Sequence, residues 1–311
     1  MLLAGTHSID AEAYHADPAP KPSLSSTLAR IIINHSPRHA WTAHPKLNPN
    51  WQPTESETFD IGRAAHRAIL GRGGEYVAIP EHILASNGAA STKEAKAFIA
   101  DARALGRTPL KQDKVDGILA MRLILQHRLR EMKIELDPAC SEIAAIAEID
   151  GTWCRCMVDN APKDRCLPLY DFKTTMDASP EAIRKSIETY GYDVQMAHYL
   201  DVWKAATGED RDFVFIFQEK EPPHEVGVAK LLNFRHHPAD FMEEARDKAH
   251  TARQVWGSCV ETGNWPGYPP LIIEIGATAF HKGRWMEKAG RVAANKPDKK
   301  IVQQAADWQR P

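Results

Sequence analysis

Leu167-Pro168-Leu169-Tyr170-Asp171-Phe172-Lys173-Thr174-Thr175 is the stretch whose reading decides the fold. Residues 167–172 are mostly apolar and show no helical period, the pattern of a buried strand. Side chains two apart on a strand point to the same side. Asp171 and Lys173 therefore leave the strand end together, a carboxylate beside an ammonium. Residues 152–159 read as a preceding strand that ends in Met157-Val158-Asp159. The intervening residues 160–165, with Pro162 and Asp164, turn the chain back as a hairpin. That hairpin sets Asp159 beside Asp171. Two carboxylates and a lysine at adjacent strand ends are what metal-assisted phosphodiester hydrolysis requires.

Outward from this hairpin, residues 142–148 read as a further strand, opened by Glu142. Residues 180–189 and 192–206 read as helices with Gly191 between them. Residues 212–218, built on Phe-Val-Phe-Ile-Phe, are strongly β-like, and 224–234 form a partner strand across Pro222-Pro223. A long helix covers 239–262. On the N-terminal side, helices are expected at about 23–34, 59–70, 92–105 and 111–133, with a loop at 40–56. In 111–133, Ile118, Met121, Leu125 and Leu129 recur near helical spacing. Residues 1–22, with Pro18, Pro20 and Pro22, read as an extended lead-in. The order of elements implies an α/β fold, a central mixed β-sheet flanked by helices with a helical N-terminal portion. The expected division is a lead-in at 1–22, a single domain at 23–265 (helical part 23–135, catalytic core 140–265) and a basic tail at 266–311.

The 311 residues are 43% hydrophobic and 26% charged, ordinary for a globular protein. No run approaches eighteen apolar residues, so no transmembrane helix is expected. The first residues lack the basic and apolar regions of a secretory signal, and a cytoplasmic location follows as the expectation. Five cysteines without a C-x-x-C pair read as reduced thiols, most of them buried. The net charge of −2 does not announce nucleic acid, but residues 282–311 hold eight Lys/Arg against three Asp/Glu. Such a segment can touch phosphates; a solvated terminus is the competing reading.

Further motifs surround the hairpin. Gly62-Arg-Ala-Ala-His66 lies on a predicted helix. Gln195 and Tyr199 are four apart on another and share a face. Gly-x-Ala-x-His, Cys154-Arg-Cys-x-x-Asp159, Asp171-x-Lys-Thr-Thr and Tyr190-x-x-x-Val-Gln-x-x-x-Tyr199 together resemble the pattern of the RecE-like phage and prophage recombination exonucleases (exonuclease VIII type). These belong to the PD-(D/E)xK, or restriction-endonuclease-like, nuclease superfamily. The resemblance spans about residues 10–265. It implies that His66, Asp159, Asp171 and the backbone carbonyl of Phe172 bind the metal. It makes Lys173 the catalytic lysine and lets Gln195 position DNA or the attacking water, with Tyr199 alongside. Glu142 matches the family's glutamate ahead of the hairpin, with Glu148 as the competing position. The family's Arg-Pro-Asp is replaced here by Met157-Val158-Asp159, which leaves the aspartate in place.

The resemblance implies Mg²⁺ as cofactor, with Mn²⁺ able to substitute, and the histidine suits Mn²⁺ well. It also implies 5′ to 3′ degradation of linear double-stranded DNA ends, leaving 3′ single strands. The implied partners are duplex DNA ends, a single-strand annealing protein of the RecT type and further copies of the chain in a ring-shaped trimer or tetramer, with no membrane. Lys173 is expected to orient a water or help deprotonate it, and the second role needs a lowered pKa. Two alternatives stay open: a RecB-like nuclease acting on single strands, and a catalytically dead protein that binds DNA ends.

Overall fold

The computed structural model describes residues 1–52, 57–71, 75–231 and 241–294, with the side chains of 57–61, 63 and 292–294 left out of the description. The chain divides into two compact units, Met1–Tyr268 and Pro269–Pro311. The first unit opens with β1 (Gly5–His7), α1 (Ala11–His15), α2 (Ser26–Asn34), α3 (Pro37–Thr42) and α4 (Glu57–Leu70). There follow β2 (Tyr76–Ala78), α5 (Lys93–Ala104), β3 (Thr108–Leu110) and α6 (Gln112–Glu131). The central hairpins are β4 (Ser141–Ile149), β5 (Thr152–Asn160) and β6 (Leu169–Thr175). Then come α7 (Pro180–Tyr190), α8 (Tyr192–Thr207), β7 (Phe213–Glu219), β8 (Val226–Ala229) and α9 (Phe241–Thr262). The second unit carries α10 (Ala279–Ala294).

Six strands form one sheet in the order β1-β4-β5-β6-β7-β8. Every pairing is antiparallel except β6 with β7, which are parallel, so the sheet is mixed as expected. Both faces of its centre are covered. Leu169, Phe213, Phe215 and Phe217 join a core with residues of α2, α8 and α9. Tyr170, Phe172, Val214 and Ile216 alternate with them and pack with Ala65 of α4 and Met121, Leu125 and Leu129 of α6. This two-sided burial is why the Phe-Val-Phe-Ile-Phe run is apolar throughout rather than alternating. Ion pairs from Lys248 to Asp193 (2.9 Å) and from Arg253 to Asp201 (3.1 Å) tie α9 to α8.

Helix starts follow the local chemistry. The side chains of Ser25, Thr92 and Ser179 accept from backbone N–H groups in the first turns of α2, α5 and α7. Four of the five cysteines are buried, and all are free thiols. No helix among the described residues is long and apolar enough to cross a membrane.

Several expectations need correction. Residues 1–22 are not merely extended: β1 pairs with β4, and α1 is capped by Asp10. Asp17 is buried and accepts from Ser23 and lies 3.0 Å from Nε2 of His44. Strand β6 starts at Leu169 because Pro168 has no N–H for a ladder and Leu167 is exposed. Helix α3 runs into the expected loop at 40–56 and begins at Pro37, whose fixed φ suits a first helical residue. The β2–β3 pair was not anticipated. The expected tail at 266–311 contains α10. Residues 53–56 of the expected loop, 232–234 of the last strand, the start of the long helix at 239–240 and the basic residues beyond 294 lie outside the described residues.

Candidate active site

Strand β6 carries its chemistry on two faces. Asp171 and Lys173 share the side of Leu169, toward α8, whereas the Phe172 ring turns toward α4. On the α8 side, Nε2 of Gln195 donates to Oδ2 of Asp171 at 2.7 Å. Oδ1 of Asp171 forms an ion pair with Nζ of Lys173. The ammonium also lies 5.0 Å from the centre of the Tyr192 ring. On the α4 side, His66 packs edge-on against the Phe172 ring, and its Nε2 lies 3.2 Å from the Phe172 carbonyl oxygen.

Strands β5 and β6 pair only at Asn160 and Tyr170. They splay immediately beyond that pair, where Asp159 and Asp171 face each other. Oδ2 of Asp159 accepts the N–H of Phe172 at 2.7 Å, replacing a ladder partner, and lies 3.9 Å from Nδ1 of His66. The β4–β5 register, Ser141 with Asn160 and Ile143 with Val158, sets Glu142 opposite Asp159. Glu142 has φ +51°, a left-handed backbone that re-aims its side chain. Its charge acts on both Asp159 and His66. Glu148, the competing position, is exposed and pairs with Trp153 at the far end of the hairpin.

The structure thus brings His66, Glu142, Asp159, Asp171, the Phe172 carbonyl, Lys173 and Gln195 together. It does not place Tyr199 with them on an open surface. Tyr199 is buried in the core, edge-on to Phe213. Tyr192 was missed by sequence reasoning, although it lies one helical turn before Gln195 on the same stripe of α8.

The electrostatics follow from burial and crowding. Burial first, and then the charge of Asp171, push the carboxyl of Asp159 well above the usual carboxylate range. Burial and the charge of Lys173 hold His66 below the usual imidazole value. Burial alone would lower the ammonium of Lys173, but Asp171 and Asp159 outweigh it and the net shift is upward. The expectation of a lowered lysine pKa is therefore corrected: two carboxylates keep Lys173 charged.

Among the described residues, no three His, Cys, Asp or Glu side chains converge as a ready-made cation site. The reason is visible at Asp171, whose two oxygens are taken by Lys173 and Gln195. The remaining donors nevertheless fit a hard divalent ion. Adjacent ligands of an octahedral ion bonded at about 2.1 Å sit about 3 Å apart. His66 Nε2 and the Phe172 carbonyl oxygen, 3.2 Å apart, have that spacing. Oδ2 of Asp159 lies 3.9 Å from the other ring nitrogen, Nδ1, so the imidazole must turn over to offer one nitrogen to an ion shared by all three.

A family model described as "PDDEXK-like domain of unknown function (DUF3799)" matches residues 33–271, a span that contains every one of these side chains. The chain belongs to this family. The PDDEXK-like domain is also similar in fold to a crystal structure of a protein from Eubacterium rectale named "Putative exonuclease". That likeness has a TM-score of 0.55 at 12% identity and covers 88% of this chain and 97% of the other. No curated protein matches the chain. Its mixed sheet flanked by helices is thus that of a PDDEXK-like fold.

Proposed function

We propose that this PDDEXK-like domain is a divalent-metal-dependent exodeoxyribonuclease that degrades linear duplex DNA from its ends. The observation that carries the reading is the convergence of Asp159, Asp171 and Lys173 where β5 and β6 splay. His66, Asp159, Asp171 and the Phe172 carbonyl would hold Mg²⁺ or Mn²⁺. A cation bound there supplies charge stabilisation at the phosphoryl oxygens and a more acidic water.

The chain's own residues do the rest. Lys173, kept as an ammonium by its carboxylate neighbours, is a fixed positive charge for a phosphate oxygen or for the attacking water. It acts by electrostatics and orientation. Gln195 fixes the rotamer of Asp171 through its amide. Glu142 adds a carboxylate on the Asp159 side. The RecE-like resemblance supports 5′ to 3′ polarity, a ring-shaped oligomer of three or four chains and a RecT-type annealing partner that receives the 3′ single strand.

The test is a time course on one plasmid, supercoiled or linearised, with Mg²⁺ or EDTA. Linear duplex should disappear only with the metal, and closed circles should persist. A 5′ label should be released before a 3′ label. Lys173→Ala should bind DNA and metal yet lose turnover by a factor on the order of 10². Discrete bands from the circle would make the protein an endonuclease. Binding to linear ends without hydrolysis under any divalent ion would leave an end-binding protein.

A further inference from the structure

Tyr192 borders Lys173, and Tyr190 borders Tyr192. Gly191 separates α7 from α8 with φ +63°, a left-handed turn that returns the chain sharply on itself. A Cβ at Gly191 would also meet the Arg30 side chain at 3.0 Å. The turn places the ring of Tyr190, the last residue of α7, 5.7 Å from that of Tyr192, the first of α8. Tyr192 is fixed from below by Phe215 and Phe217 of β7 and carries the Lys173 ammonium near its ring. Tyr190 is fixed through its backbone, because Nη1 of Arg30 donates to its carbonyl at 2.6 Å and Nη2 donates to Thr27. Tyr190 is nevertheless 57% exposed. Beyond its contact with the Tyr192 ring, this exposed tyrosine has no aromatic partner among the described residues.

We propose that Tyr190 is a stacking platform for a nucleobase of the DNA strand whose phosphate lies at Lys173. The assignment rests on the nuclease reading above. The Tyr190 ring and the Lys173 ammonium lie 5.7 Å and 5.0 Å from the same Tyr192 ring, close enough for a strand held by its phosphate at one to offer a base to the other. An interior base of a duplex is covered on both faces by its neighbours, so the ligand is the terminal or single-stranded nucleotide at a DNA end. Tyr192 contacts both and links the two positions. Stacking tolerates any base, because every base has a π face. Arg30 adds a positive charge beside the platform.

The experiment uses the full chain in chelator, so that binding is read without cleavage. The probe is a duplex with a short single-stranded end carrying 2-aminopurine at its terminal base. Wild type should bind it and quench the probe. Tyr190→Ala should bind roughly 5- to 150-fold more weakly, the range for loss of one base–aromatic stack, and should leave the probe bright. Tyr190→Phe should restore both. An abasic terminal position should bind the wild type and Tyr190→Ala alike. Because Tyr190 is exposed, the variants should unfold at the wild-type temperature. If wild type binds and degrades DNA but Tyr190→Ala matches it within twofold and still quenches the probe, the platform is wrong and the nuclease reading stands. If wild type neither binds nor degrades DNA, both fall.

Discussion

Asp159 and Asp171 face one ammonium, and the charge they leave uncompensated is built into the fold. Burial and the charge of Asp171 raise the Asp159 carboxyl well above the usual range, so without a cation this group costs stability at neutral pH whether it stays ionised or takes up a proton. Asp159→Asn removes the ionisable group and keeps an oxygen to accept the N–H of Phe172. In chelator its thermal midpoint should equal the wild-type value or exceed it by a few degrees, which is the scale of about 1 kcal/mol in a domain this large. Mg²⁺ should raise the wild-type midpoint by binding the native state and leave the variant unmoved and inactive. A variant that still climbs with Mg²⁺ as the wild type does would take Asp159 out of the cation site. The spacing of Asp171 and Lys173 made their shared side legible. It could not say whether burial or carboxylate charge decides the protonation of Lys173, because that depends on how close Asp159 comes across the splayed hairpin. Tyr199 shows the opposite limit: helical spacing correctly puts it in line with Gln195, but only packing shows that this stripe runs down into the core.

Two glycines separate packing from propensity at the level of elements. Gly227 lies on β8 where α7 approaches, and a Cβ there would meet the Ala178 carbonyl oxygen at 2.6 Å and the tip of Ile183 at 2.4 Å. The backbone oxygen cannot swing away as a side chain can, so Gly227→Ala should cost about 1–3 kcal/mol. Gly117 lies inside α6 with nothing within 4 Å of its Cβ position. Gly117→Ala should stabilise by up to about 1 kcal/mol, the propensity difference alone. Denaturant midpoints of the two variants should move in opposite directions, and a shared direction would discredit the close approach of β8 to α7. The long elements were legible because each carries its own periodicity, as α6 does with Ile118, Met121, Leu125 and Leu129 buried on one face. The β1, β2 and β3 strands were not. Each has three residues, too few for a period, and each exists because a partner strand supplies its hydrogen bonds.

At the scale of the whole molecule, every candidate catalytic side chain lies in the Met1–Tyr268 unit. A chain ending at Tyr268 should therefore keep its cooperative unfolding and its metal-dependent hydrolysis; loss of the folded state on truncation would show that residues 269–311 belong to the core. The same unit encloses histidines that set its response to acid. His198 is fully buried between α8 and β5, with Nε2 3.1 Å from the carbonyl oxygen of Arg155. Burial first of all holds its imidazole down to about 4, against an ordinary value of 6.5. His44, likewise buried, is also lowered, chiefly by burial. Above pH 6.5 neither the folded nor the unfolded chain protonates His198, and stability is at its full value. As pH falls from 6.5 to about 4, the unfolded chain takes up a proton that the folded chain refuses, and stability drops. A shift of this size corresponds to about 3 kcal/mol. Urea unfolding at pH 7 and pH 4.5 should register most of that loss in the wild type. His198→Gln retains a donor for the Arg155 carbonyl but cannot titrate, so its loss over the same interval should be smaller by about 2–3 kcal/mol, leaving the shares of the other shifted groups, His44, His66 and Asp159 among them. An equal loss in both proteins would mean that His198 is protonated in the fold, and that the acid sensitivity of this domain arises elsewhere.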